Sequence, residues 1–467
     1  MPLFELFQPL MDIYGGKPWV LCWPRAGGAH TFSATLQELG APPPFVLASR
    51  LGKPWPADVG LAGTTVLAGC DGADDQDPDM IAEFRVYERR MAQLPASALD
   101  RWDPRREARV LAPTGTVLRE VAGRPVYGTE DLKVRQQVED KCTVAALWDA
   151  AGVPQAPATV VPLSEAVAAA CHIDRGQGTV WAGDNHSHIE GGAIATRWVH
   201  DQTSQDAALK LFLGRCCQVR VMPYVPGVPC AIQGFCTPDG VAIFEPMEMV
   251  VLVDRAQGAF QFCGVSTLWT PSAAVRDNLR QIGRRVGERL RTHHGWRGGF
   301  SVDGIVPIDD SGAGFVPTEV NARFSGGLIR LDEIHGGPPL ALVHRALQEG
   351  ALTGLDGAAL ERTLGGAARR RRICAVHLAF PTAPPQTRTV PVALDRPGCP
   401  RDEDGDGLIK WQDAGGFGVI NLETDALRTR PGPPIGPRFA AALQTAAAQL
   451  GIDIGKLASP AASDCTR

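Results

Sequence analysis

The chain has 467 residues, 44% hydrophobic and 21% charged, with a formal net charge of −5. At ~100–200 residues per domain this length asks for two to four cores, and the charge balance excludes a nucleic-acid binder working by bulk electrostatics. No basic region followed by a long apolar run opens the chain, and no window holds ~18 uncharged apolar residues, so neither a signal peptide nor a membrane span is expected.

The twelve cysteines show no CxxC pair and no regular spacing. That argues against a disulfide scaffold and points to reduced core thiols in a cytoplasmic protein. The one strong basic block, Arg369–Arg372, reads as a solvated lead-in to a strand over 373–380.

In chain order, residues 1–135 read as α/β. PWVLCWP (18–24) is an apolar strand. It runs through RAGGAH (25–30) into a helix, with further strands at 44–52 and 64–69. Strand, glycine turn, helix is the opening of a doubly wound sheet. RAGGAH lacks the GxGxxG spacing of a dinucleotide site. A helix is expected over Leu132–Ala150, stopped by Gly152 with Pro154 beyond. A strand at 157–163 and a helix capped by Ser164 follow. Two strands around a glycine-bearing loop occupy 178–201, and 217–252 is a run of strands turning at Pro226-Gly227 and Asp239-Gly240. A helix covers 272–294. A long hairpin covers 298–327, turning near Asp309–Gly314. Helices fit 338–350 and 436–449. The Pro- and Gly-rich span 381–435 carries no clear period.

One stretch of that hairpin is chemically odd. In TEVNARFSGG (318–327) Glu319, Asn321 and Arg323 alternate, so on a strand they share a face. Asp303 lies mid-strand on the partner arm. Two carboxylates and an amide carbonyl are hard oxygen ligands suited to Mg²⁺, and a guanidinium beside them suits phosphate. A solvated strand face is the plainer alternative.

This set resembles the ATP-grasp superfamily of carboxylate–amine ligases. In that superfamily an acid on one strand and Glu-x-Asn on the next hold two Mg²⁺ ions. The matching residues here are Asp303, Glu319 and Asn321, with Arg323 following. Asp140-Lys141 upstream of AGVP (151–154) matches the family lysine, so the resemblance implies that Lys141 contacts the α-phosphate of ATP. NHSHIEGGA (185–193) matches the glycine-rich lid, with Ser187, Gly191, Gly192 and Ala193 offering backbone N–H groups. RVMPYVPG (220–227) matches the hinge that reads adenine, implicating Met222, Pro223, Tyr224 and Val225, with the Pro223 carbonyl and Val225 N–H as the base contacts.

The resemblance spans roughly residues 130–335. Three departures stand out. The strand TVWAGD (179–184) lacks the usual second lysine, Met222 stands where the hinge commonly has Glu, and no ribose-binding acid follows the hinge. The implied fold is α/β (α+β): an ATP-grasp fold with an N-terminal Rossmann-like domain (1–135), two ATP-grasp halves (136–225 and 226–345) and a C-terminal α/β extension (346–467).

The implied activity is ATP-dependent joining of a carboxylate to an amine or peptide N-terminus through an acyl phosphate. Arg323 and the Ser325–Gly326 backbone would stabilise the reacting centre. The N-terminal domain, EVNARFSGG and the long C-terminal part most resemble pheganomycin-type peptide ligases of secondary metabolism. Expected partners are a small-molecule acid and an amine or peptide, and a second copy in a homodimer, with no nucleic acid and no membrane. Other ATP-grasp chemistry (a biotin-type carboxylase or a dipeptide-forming L-amino acid ligase) stays open, as does a non-catalytic nucleotide- or Ca²⁺-binding module.

A second motif, DEDGDGLIKWQD (402–413), fits the EF-hand loop. Asp402, Asp404 and Asp406 stand at its first three ligand positions, Gly407 at the turn and Asp413 at the last. Neither flank offers a clean helix, so an acidic turn competes with a Ca²⁺ site at Asp402–Asp413.

Overall fold

The computed structural model describes residues 3–50, 59–66, 80–184, 193–308, 314–380, 382–394, 406–413, 418–424, 429 and 431–461. The first sheet is parallel. It holds β1 (Trp19–Arg25), β2 (Phe45–Arg50), β3 (Gly63–Val66) and β4 (Arg109–Leu111) in the order 3-2-1-4. Trp19, Val20, Leu21 and Cys22 of β1 are all fully buried, as a central strand covered on both faces requires. RAGGAH forms a single 3-10 turn, Ala26–Ala29, leading straight into helix His30–Glu38.

After a small hairpin of β5 (Glu120–Val121) and β6 (Arg124–Pro125), the long helix expected over Leu132–Ala150 is broken in two, Leu132–Glu139 and Ala145–Ala150. Asp140 leaves the helix at ψ 116°, and its carboxylate accepts the Cys142 N–H at 2.8 Å. An Asx-type turn competes with helix in this way. The predicted stop holds: Gly152 takes φ 63° and the Val153 N–H reaches the Trp148 carbonyl, a Schellman closure.

Next comes an antiparallel group: β7 (Thr159–Pro162), β8 (Thr179–Gly183), β9 (Thr196–Val199) and β10 (Gln218–Pro223), in the order β7-β10-β8-β9. Helices Ala166–Ile173 and Gln202–Phe212 supply its core. Ser164 is not the cap of the first helix. It sits inside a 3-10 turn, and the position before the helix is Glu165, which makes no capping bond.

The large antiparallel sheet follows. It contains β11 (Gly227–Cys236), β12 (Val241–Ile243), β13 (Met247–Asp254), β14 (Ala259–Ser266), β15 (Gly298–Pro307) and β16 (Val316–Asn321), with β16-β15-β11-β13-β14 as its spine. Helix Ala273–His293 buries Leu279, Ile282, Val286 and Leu290 among Ile232, Ile243 and Phe300. β17 (Cys374–Phe380), β18 (Arg388–Val392), β19 (Gly407–Asp413) and β20 (Gly418–Thr424) continue it in the order β14-β17-β20-β19-β18, under helix Ile435–Leu450. β21 (Leu457–Ala458) pairs with β13, and the Gly227 N–H donates to the Pro460 carbonyl.

The span 381–435, which the sequence leaves unspecified, holds three strands, β18, β19 and β20. Two expectations fail here. Arg369 and Arg370 close helix Gly357–Arg370 instead of leading into β17. Gly407–Asp413 is a strand paired on both sides, with β18 and β20, whereas an EF-hand passes from its loop into a helix at that point. Asp406 instead accepts the Leu394 N–H. Asp402 and Asp404 lie outside the described residues. Among those described, no disulfide forms and no helix is long and apolar enough to cross a membrane.

The C-terminal helix is clamped by a buried acid. Glu248 on β13 accepts the Ile435 and Gly436 N–H groups, both at 2.7 Å, so its carboxylate sits at a helix N-terminus. Burial nevertheless pushes the carboxyl up from 4.5 to about 7, against those two donors and Arg438. Between these values the folded chain keeps a proton that the unfolded chain has released, so the contribution of Glu248 to stability falls as pH rises through the window. Denaturant melts of wild type and Glu248→Gln should therefore converge or cross between pH 4.5 and about 7, wild type losing about 1–3 kcal/mol relative to the variant. Parallel curves would refute the shift.

Candidate functional site

β11, β15 and β16 form a continuous ladder. Ala231 faces Asp303, and Asp303 faces Glu319. Ser301 is likewise opposite Asn321. Register thus brings the two acids and the amide together, as alternation along each strand predicts. A bulge falls immediately after Asp303, with Thr318 the extra residue on β16, and at the next position, Gly304, a Cβ would stand 2.3 Å from the Val316 carbonyl oxygen.

Asn321 donates from Nδ2 to Asp303 Oδ2 at 2.8 Å and to Ser301 Oγ at 3.2 Å. Asp303 Oδ1 and Asn321 Oδ1 are buried with no hydrogen-bond partner. Burial, with Glu319 adding its charge, pushes the Asp303 carboxyl up from 3.8 to about 7. Two orphaned oxygen acceptors, one carboxylate and one amide, beside the second carboxylate, Glu319, fit a hard divalent cation, because a buried acceptor without a partner is costly. Among the described residues no cluster of three or more His, Cys, Asp or Glu side chains is placed to hold a metal. The donor set therefore depends on the amide.

Lys141 lies in the break between the two helices, not within a helix. The Asp140 turn swings it toward β16, where Nζ pairs with Glu319 Oε2 at 3.1 Å. Arg323 departs from expectation. β16 ends at Asn321, so Arg323 is in a bend beyond the strand, and it pairs with Glu139. It still lines the same cleft. Glu139 is buried and also holds Arg135, at 3.1 Å.

The hairpin arm expected to reach 327 gives way to helix Gly326–His335, which starts directly after Ser325. Ser325 Oγ donates to Gln233 Oε1. A side chain at Gly327 would drive into Gln233, its Cβ 2.5 Å from Nε2. Ser325, Gly326 and Gly327 border the cleft at a helix N-terminus, where backbone N–H groups are unsatisfied by the helix itself.

The other end of the cleft is apolar. Met222, Pro223, Tyr224 and Val225 line it, facing Met249, Val251, Phe260 and Phe262. Tyr224 stacks on Trp198 at 4.4 Å. Ala193 also lines the cleft, at φ 63°. Ser187, Gly191 and Gly192 lie outside the described residues. The sequence reading missed Glu139, Gln233 and Arg220. Arg220 is the most informative of these, a charge buried in the apolar strand QVRVMP.

No family model matches the chain, and no curated protein matches it. Solved structures do. An L-amino acid ligase from Bacillus licheniformis aligns over 88% of this chain and 94% of its own, at 11% identity and a TM-score of 0.50. Pyruvate carboxylase from Rhizobium etli aligns over 91% of this chain and 37% of its own, at 15% identity and a TM-score of 0.52. The fold is ATP-grasp. In ATP-grasp terms, the β7–β10 group and the large sheet are the two walls of the cleft, joined where β9 meets β14. At these identities the likeness speaks to fold alone.

The buried charges give an asymmetric prediction. Glu139→Ala leaves Arg323 without its acid and Arg135 with Glu130 alone and should cost about 1–3 kcal/mol, whereas Arg323→Ala leaves Glu139 still paired with Arg135 and should cost clearly less. Urea denaturation of both variants decides it. Equal losses would mean that the shared carboxylate does not organise this wall.

Proposed function

We propose that the chain is an ATP-dependent ligase that joins a carboxylate to an amine or peptide N-terminus. The observation that carries this reading is the pair of orphaned oxygens, Asp303 Oδ1 and Asn321 Oδ1, facing Glu319 and Lys141 in a cleft whose far end is apolar. One end suits a polyphosphate with its cations, and the other suits a planar base. The fold likeness to an L-amino acid ligase supports the reading.

In this reaction a carboxylate oxygen of the acid attacks the γ-phosphorus of ATP. The bond to the β-bridging oxygen breaks, and ADP leaves. The amine nitrogen then attacks the acyl carbon. Inorganic phosphate departs with the C–O electron pair, and the nitrogen loses a proton. Asp303, Glu319 and Asn321 would hold Mg²⁺, two ions in this reading, which supplies charge neutralisation on the phosphates. Lys141 orients the α-phosphate. Met222–Val225 hold adenine through the Pro223 carbonyl and the Val225 N–H. Arg323 and the N–H groups of the Ser325–Gly327 turn meet the negative charge that develops on the acyl oxygen.

The acid and amine belong to the amino-acid and peptide class, as in the pheganomycin-type ligases that the sequence resembles. The likeness to pyruvate carboxylase keeps bicarbonate as a rival acid, and ADP release driven by bicarbonate without any amine would favour it.

The test is a melting experiment followed by turnover. ATP with Mg²⁺ at ~100 times Kd should add ~2.7 kcal/mol to wild-type stability. Glu319→Ala should keep its fold, lose the Mg²⁺-dependent part of that shift and release no ADP in a screen of amino acids and peptides. Wild-type turnover in a folded Glu319→Ala protein would sink the metal assignment.

A further inference from the structure

Arg220 has no evident structural reason to be where it is. It lies on β10 between Val219 and Val221, 2% exposed. Its Nη1 donates to the Thr318 carbonyl at 3.0 Å. Nε and Nη2 are buried with no partner. Among the described residues no carboxylate pairs with it, and burial pulls its pKa down. Burying a guanidinium unpaired is among the costliest arrangements a fold can carry. A chain that keeps one has an anion to bring to it.

The surroundings say which anion. Arg220 lines the cleft. Its fixed end holds the carbonyl next to Glu319, the residue that pairs with Lys141. Of the three cations on the described cleft wall, Lys141 is taken by Glu319 and Arg323 by Glu139. Arg220 is the one without an acid. Across the ladder it faces Ala182 of β8 and Val160 of β7, and neither neighbour offers it a polar atom. β8 itself, TVWAG, carries no basic residue. Arg220 also stands two residues before Met222, where the apolar end of the cleft begins. It therefore lies between the base end and the acid cluster.

We propose that Arg220 binds the polyphosphate of the nucleotide, its unpartnered Nε–H and Nη2–H donating to phosphate oxygens, and that the second phosphate cation of this cleft thus comes from β10 rather than from the lysine-free β8. This rests on the nucleotide reading above. A guanidinium presents two donors in one plane, so the contact is bidentate and directional, unlike that of an ammonium.

The test compares ADP and adenosine, by calorimetry, on wild type, Arg220→Gln and Arg220→Lys, each first checked for an unchanged circular dichroism spectrum. Arg220→Gln should bind ADP about 10–100-fold more weakly and adenosine within about twofold of wild type. Arg220→Lys should recover part of the ADP loss, since it restores charge without the fork. ADP binding unchanged in Arg220→Gln overturns the proposal, and so does an equal loss for adenosine and ADP, which would make the arginine a prop for the cleft wall. If Arg220→Gln does not fold, Arg220→Lys alone decides: ADP weakened and adenosine spared supports the contact, and any other pattern overturns it. Wild type that binds neither ligand would instead sink the nucleotide reading itself.

Discussion

The ten-residue ladder between β11 and β15 is the constraint on which the site depends. Every residue from Gly227 to Cys236 is paired with one from Pro307 down to Gly298. Strand side chains alternate with period two, so a slip of one residue would turn Asp303 to the opposite face. The core prevents that slip. Ile232, Phe300, Val302 and Val320 are fully buried beneath helix Ala273–His293, and a one-residue slip would expose those of the shifted strand. Apolar burial on one face thus fixes polar placement on the other. The acids are expensive where they stand, and the packing beneath them holds them there.

The site itself was legible in the sequence to the extent that it obeys strand periodicity. Asp303, Glu319 and Asn321 stand out because each is polar where an apolar strand residue belongs, and pairing puts them together. Arg323 follows the same alternation but lies past the end of β16, because Gly326-Gly327 starts a helix that intrinsic propensity argues against. Lys141 does line the cleft, but from the break between two helices and not from the helix that was expected. Helical periodicity runs unbroken through EDKCT, and only the side-chain turn of Asp140 ends the helix.

Arg220 and Glu139 were hidden for a different reason. Each has a local context that explains it away, a solvated strand face for the first and a solvated helix face for the second. Only burial and the absence or presence of a distant counter-charge separate them from surface residues, and neither property can be read from one dimension. The strands of 381–435 were left unassigned because the span as a whole is rich in Pro and Gly, although β19 and β20 themselves run unbroken. The acidic stretch before β19 shows the converse error. A motif defined by ligand spacing matched, but the backbone after Gly407 follows the ladder with β18 and β20.

The stitching of Leu457–Ala458 to β13, and of Pro460 to Gly227, also bears on biosynthesis. These contacts link residues more than two hundred positions apart, and Pro460 is part of the cleft wall. A chain emerging from the ribosome can close its parallel N-terminal sheet long before such partners exist, since domains fold as they are made. The cleft cannot be complete until they arrive. Nascent chains should therefore carry an unfinished cleft wall, with Val253 and Asp254 of β13 and Gly227 of β11 lacking these partners until the last residues are made.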